Sequence, residues 1–142
     1  MNHDFVEMLS ALSVAGADYL LVGAHALAAH GRPRATGDLD IWLRPTPGNA
    51  SRVWAALLQF GAPLHEISQE DLSEPDIVFQ IGISPSRIDL LTSISGVEFE
   101  NAWANRIMID VSGLLIPTIG KEDLIRNKLA AGRPATLRTS RN

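Results

Sequence analysis

Apolar residues recur along this chain at two different spacings, and the changes between them mark the elements. Phe5, Met8, Leu9 and Leu12 fall at i, i+3, i+4 and i+7, which predicts an amphipathic helix from Asp4 to Ala15 with Asp4 as its cap. Gly16-Ala17-Asp18 turns the chain, and Tyr19-Leu20-Leu21-Val22 reads as a short, fully apolar strand. An alanine-rich helix, Ala24 to His30, begins directly after Gly23 and stops at Gly31-Arg32-Pro33, because proline disfavours helical geometry in the residue before it. A strand follows from Asp38 to Leu43. Pro45-Thr46-Pro47-Gly48 is a turn cluster, and Asn49 is expected to cap a helix through Phe60 with Val53, Trp54, Leu57 and Leu58 inward.

Residues 61–75 are polar and irregular, with one helical turn expected at Gln69 to Leu72. Asp76 to Ile81 and Arg87 to Thr92 read as strands on either side of a turn at Gly82 to Ser86. Phe99 to Asn105 fits neither period. Two apolar runs, Ile107 to Val111 and Leu114 to Ile116, flank Ser112-Gly113 and predict a hairpin. Lys121 to Ala131 is a final helix carrying Leu124, Ile125, Lys128 and Leu129 along one side, with Gly132 at its stop and Pro134 beyond. Trp54 is expected in the core, whereas the pattern does not decide between core and interface for Trp42 and Trp103. Helices and strands thus alternate around one hairpin. The expected class is α+β, a mixed sheet with helices packed on it, as one domain over residues 1–133 and a loose tail over 134–142.

Composition narrows the picture. With 142 residues, 46% hydrophobic and 20% charged, the chain can bury a core without covalent staples. It has no cysteine, which excludes disulfides, thiolate metal sites and a thiol nucleophile and fits a reducing compartment. Met1-Asn2-His3-Asp4 lacks the basic start of a signal peptide, and the richest apolar run, Tyr19 to Ala29, is too short to span a membrane and contains Gly23 and His25. A cytoplasmic location is the expectation. A net charge of −4 argues against a general nucleic-acid binder. The end of the chain differs, however: Lys121, Arg126, Lys128, Arg133, Arg138 and Arg141 stand against Glu122 and Asp123, a basic stretch that either faces phosphates or is solvated.

The candidate chemistry lies in Arg34-Ala35-Thr36-Gly37-Asp38-Leu39-Asp40-Ile41-Trp42-Leu43. Alternation along a strand places Asp38 and Asp40 on one face and Leu39 and Ile41 on the other. Two carboxylates amid apolar neighbours repel each other and lose hydration, and a cation such as Mg²⁺ removes both costs. Asp89 interrupts a second apolar strand. If that strand pairs with the first, three carboxylates converge, and three acids can hold two Mg²⁺ ions roughly 3.5–4 Å apart. Asp89 is also a candidate general base. Gly23, between a strand and a helix, permits close approach of a phosphate. Taken singly, each feature has an ordinary explanation: solvated strand acids, a salt-bridged edge residue, a tight turn.

Together, Gly23-Ala24, a short helix, Asp38-Leu39-Asp40 and a later lone strand Asp89 resemble the polymerase-β-type nucleotidyltransferase superfamily. The likeness is nearest to its small minimal nucleotidyltransferase-like members, including those of the AbiEii type. It is strongest over Leu21 to Trp42, extends to Ile119–Arg133 as the C-terminal helix, and spans residues 5–133. The resemblance implies a nucleotidyltransferase-like mixed sheet and Mg²⁺-dependent transfer of a nucleoside monophosphate from an NTP. The acceptor would be a small molecule, a protein side chain or an RNA end. Asp38, Asp40 and Asp89 would bind two metal ions, and Gly23 and Ala24 would line the triphosphate. By residue type, Arg34, Thr36 and Lys128 are added as phosphate contacts. Gly23-Ala24 departs from the usual Gly-Gly or Gly-Ser and lacks the hydroxyl. The familiar acidic helical continuation is also absent beyond Arg133. A second expectation, from another class, is a nucleotide-binding or catalytically weak regulatory module. It would work with a partner protein in a two-component, toxin–antitoxin-like system, and the short length favours it. A third is a generic mixed fold with structural acids.

Overall fold

The computed structural model describes residues 1–31 and 37–132. In chain order the elements are α1 (His3–Val14), β1 (Tyr19–Val22), α2 (Gly23–Ala29), β2 (Leu39–Leu43), α3 (Pro47–Phe60), a 3₁₀ turn (Glu70–Ser73), β3 (Val78–Ile81), β4 (Ile88–Leu91), α4 (Phe99–Ala104), β5 (Ile107–Val111), β6 (Leu114–Thr118) and α5 (Lys121–Ala131). The strands form one six-stranded sheet in the order β3-β4-β2-β1-β6-β5. β2 is antiparallel to β1 and parallel to β4, and β1 is parallel to β6. The outer pairs β3–β4 and β5–β6 are antiparallel. The sheet is therefore mixed with helices packed on it, as the alternation of elements predicts.

Both faces are covered, which explains why β1 is apolar at every position and buried throughout. One face gathers Phe5, Met8, Leu9 and Leu12 of α1 and Val53 and Leu57 of α3 against Leu21, Leu39, Ile41, Ile88 and Leu90. The other gathers Ala26 of α2, Phe99 and Ala102 of α4 and Leu124 of α5 against Leu20, Val22 and Trp42. Alternation along β2 thus sends Leu39 and Ile41 to the first face and Asp40 and Trp42 to the second. Trp42 is a core residue, 1% exposed, with its ring edge-on to Phe99 at 5.0 Å. Arg44 lies over the rings of Phe99 and Trp103 and pairs with Asp18 and Glu100. Trp54 and Trp103 are half-buried.

Several local expectations need correction. Asn2, not Asp4, caps α1, its side chain accepting from the Asp4 N–H at 2.7 Å. Thr46 caps α3, with Pro47 at the first helical position where a missing N–H costs nothing. Asn49 is instead a buried bracket: its side chain accepts from the Asp18 N–H and donates to the carbonyls of Asp18 and Arg44. Leu58, Ile125 and Leu129 are 60%, 48% and 71% exposed, so the inward stripes on α3 and α5 are narrower than their spacing suggests. Phe99–Ala104 is a helix, and the hairpin turns at Ser112 and Gly113, both left-handed, as two-residue hairpin turns require. The proposed loose tail, 134–142, lies outside the described residues.

Replacing Asn49 by Ala strands buried backbone groups on two elements, and should cost about 2–3 kcal/mol. Thr46→Ala, which loses only a helix cap, should cost about 1 kcal/mol. Urea unfolding of both variants checks the ranking; an Asn49→Ala cost below that of Thr46→Ala contradicts the bracket.

Candidate active site

The end of β1 and the starts of β2 and β4 meet at one end of the sheet. Register fixes what meets there: Val22 lies opposite Asp40, and Asp40 lies opposite Asp89. The condition set by the sequence, that the two acidic strands pair, is met. Asp40 and Asp89 share the face covered by α2, α4 and α5, while Leu39, Ile41, Ile88 and Leu90 enter the core behind them.

Gly23 follows Val22 with φ of +70°, a region that L side chains rarely adopt. A Cβ there would collide with the Asp40 carboxylate and lie 3.1 Å from its Cγ. Glycine is required twice over, by backbone conformation and by the acid beside it. His25, two residues along, packs edge-on against Phe5 and reaches the Gly37 carbonyl at 3.3 Å, next to Asp38.

Two residues not singled out by the sequence complete the cluster. The Arg87 guanidinium forks onto Asp89, with Nε donating to Oδ1 at 2.8 Å and Nη2 to Oδ2 at 3.1 Å. The same Nη2 stands 3.2 Å from Oδ2 of Asp38, and the Arg87 backbone N–H donates to Oδ1 of Asp38 at 3.0 Å. Ser84 donates its hydroxyl to Asp38 Oδ2 at 2.7 Å. The signal for Arg87 was its position two residues before Asp89, which puts both side chains on one face. Ser84 lies in the turn before β4 and carried no such signal.

The electrostatics divide the three acids. Asp38 is held below the usual carboxylate range, first by the Ser84 hydroxyl and then by the Arg87 N–H and guanidinium, against burial. Asp40 is pushed up to about 6, chiefly by burial, then by the charge and hydrogen bond of Asp89 and the charge of Asp38; Arg87 offsets this only in part. Asp89 is 7% exposed. Among the described residues no three His, Cys, Asp or Glu side chains converge to hold one ion. Asp38 turns toward Ser84, and a guanidinium bridges it to Asp89.

Of the nucleotide-contact candidates, Gly23, Ala24 and Lys128 line one cleft of about 390 Å³ with Leu27, Leu124 and Asn127. Arg34 and Thr36 lie outside the described residues. None of the three carboxylates lines this cleft or either of two larger ones, about 590 Å³ beside α4 and α5 and about 840 Å³ between α1 and α3. No helix among the described residues is long and apolar enough to cross a membrane.

No family model and no curated protein matches the sequence. Among solved structures, the chain is similar to a Thermotoga maritima protein described as a "putative nucleotidyltransferase". The TM-score is 0.69 at 14% identity, over 96% of this chain and 88% of that one. The chain has a nucleotidyltransferase-like fold.

Asp40 titrates near 6 in the fold against an ordinary 3.8, so ionising it costs stability. The cost is absent below about pH 4, grows between about 4 and 6, and is complete at 7. It is worth about 1–2 kcal/mol after allowing for solvent screening of a partly exposed group. In metal-free buffer Asp40→Asn should therefore melt about 2–6 °C higher than the parent at pH 7, with no gain near pH 4. A lower melting temperature at pH 7 contradicts the electrostatic reading. Gly23→Ala should lose about 2 kcal/mol or more in urea unfolding, through left-handed strain and displacement of Asp40.

Proposed function

We propose that this chain is a Mg²⁺-dependent nucleotidyltransferase, moving a nucleoside monophosphate from an NTP to an acceptor. The observation that carries the proposal is the direct pairing of Asp40 with Asp89 on adjacent parallel strands, with Asp38 tied to Asp89 through one guanidinium. The fold shared with the Thermotoga protein supports the class of reaction.

The donor set suits a hard divalent cation: three carboxylates, two of them on one guanidinium and the third, Asp40, opposite Asp89 on the neighbouring strand. Asp40, pushed up to about 6, is the member most short of neutralising charge. Asp38, Asp40 and Asp89 would hold Mg²⁺, which would supply charge neutralisation at the transferred phosphate and lower the barrier to attack. The rest falls to the chain's own groups. Gly23 keeps the space beside Asp40 free of any side chain. Lys128 brings a positive charge into the cleft that Gly23 and Ala24 also line, a position suited to a phosphate oxygen. Leu27 and Leu124 give the same cleft apolar walls against which a base or sugar would pack. Asp89, once free of the Arg87 fork, would accept the acceptor's proton.

A second reading, a nucleotide-binding module with weak or no turnover acting with a partner protein, is favoured by one observation. Arg87 already occupies carboxylate oxygens that a catalytic site would spend on metal. Binding and transfer separate the two readings. With Mg²⁺ and radiolabelled NTPs, the enzyme reading expects labelled acceptor, lost by more than about 100-fold in Asp38→Asn/Asp40→Asn while the circular dichroism spectrum is kept. Ligand that binds only the native state raises the melting temperature, so at least one of the four Mg²⁺–NTPs should stabilise the parent protein if either reading holds. Stabilisation without transfer selects the module; transfer that survives the double substitution removes the acids from the chemistry.

A further inference from the structure

Arg87 does something that three converging acids alone do not require. Its guanidinium takes both oxygens of Asp89 at 2.8 and 3.1 Å and reaches Oδ2 of Asp38 at 3.2 Å. The arrangement is held from two further sides. The backbone N–H of Arg87 donates to the other Asp38 oxygen, and Ser84 donates to the one the guanidinium shares. Every oxygen of these two carboxylates is thus already engaged, and three of the four face the guanidinium.

We propose that Arg87 is a built-in counter-cation that competes with divalent metal for Asp38 and Asp89. Its guanidinium must leave them before a metal ion can take its place. This rests on the metal-site reading given above. The physical ground is occupancy and repulsion together. A carboxylate oxygen engaged by an N–H fork is poorly available as a metal ligand, and a guanidinium and a divalent ion at one carboxylate pair repel strongly in a partly buried site. The Arg87 side chain is 30% exposed, so it has a route toward solvent or toward an anionic ligand. A planar fork that suits a carboxylate suits a phosphate equally well. Free metal therefore has to break ion pairs to bind, whereas a metal ion arriving with a triphosphate brings an anion for the displaced guanidinium. The expected consequence is weak binding of metal alone and tighter binding of metal with nucleotide. Arg87 acts here as a positioning residue, through the carboxylates.

The test reads metal binding, not turnover. Mn²⁺ is titrated into the parent protein, Arg87→Gln and Arg87→Lys, with free Mn²⁺ followed by electron paramagnetic resonance. Competition predicts that Arg87→Gln binds Mn²⁺ about 10–100-fold more tightly than the parent, the order of one lost charge-assisted pair. Arg87→Lys, which keeps the charge and loses the fork, should fall between them. In the parent, the Arg87 Nε–H resonance should shift and lose protection from exchange as Mg²⁺, used in place of paramagnetic Mn²⁺, is titrated into the metal-free protein and followed by NMR. That readout needs no variant to fold. Equal or weaker Mn²⁺ binding in folded Arg87→Gln overturns the competition while leaving the metal site standing. An Arg87 Nε–H signal unmoved at saturating Mg²⁺ does the same. If neither the parent nor Arg87→Gln binds Mn²⁺, the metal-site reading fails and the competition with it.

Discussion

Three carboxylates gathered at one end of a helix-covered sheet, with one guanidinium to balance them, form the constraint on which this structure turns. Asp40 and Asp89 cannot be separated, because the register of β2 with β4 sets them side by side. Nor can they be fully hydrated, because α2, α4 and α5 cover that face. The fold answers with unequal shares. Asp38 receives Ser84 and the Arg87 backbone, Asp89 receives the Arg87 fork, and Asp40 receives neither and titrates late. A buried acid that works against stability, as Asp40 does, is a common mark of a residue kept for function.

The rest of the chain makes that cost bearable. Behind the acids, Leu39, Ile41, Ile88 and Leu90 anchor the same two strands in the core under α1 and α3. Beyond them on the acid face, Trp42 meets Phe99, and Arg44 spans Phe99 and Trp103 while pairing with Asp18 and Glu100. Strand β2 is thus polar at its start and clamped by aromatic packing at its end. Gly23 closes the other side, because the turn from β1 into α2 passes so near Asp40 that no side chain fits. Asp40 and Asp89 are held on paired strands and Asp38 directly before one, and Gly23 supplies the left-handed backbone that the close approach to Asp40 requires.

Much of this was legible in the sequence. The unbroken apolar run Tyr19–Val22 announced a short strand, and Asp38-Leu39-Asp40 announced alternation. Asp89 could be named as the third acid because it interrupts an apolar strand, although only pairing, a long-range property, brings it beside Asp40. What the sequence hid were the partners. Arg87 reads as an ordinary strand-edge residue until the register shows it beside Asp38, 49 residues away. Ser84 has no periodic signal at all. Asn49 looked like a helix cap because its local preference is real, but burial against Asp18 and Arg44 won. Leu58, Ile125 and Leu129 followed helical spacing yet face outward, since spacing fixes a stripe and not its width.

Whether Asp38, Asp40 and Asp89 hold a divalent metal can be seen in crystals. The most direct measurement is anomalous diffraction from crystals equilibrated with Mn²⁺ and a non-hydrolysable NTP analogue. A strong peak is expected among these three carboxylates, with the Arg87 side chain moved off Asp38. No peak there at saturating Mn²⁺, with Arg87 still bridging Asp38 and Asp89, would contradict the metal-site reading.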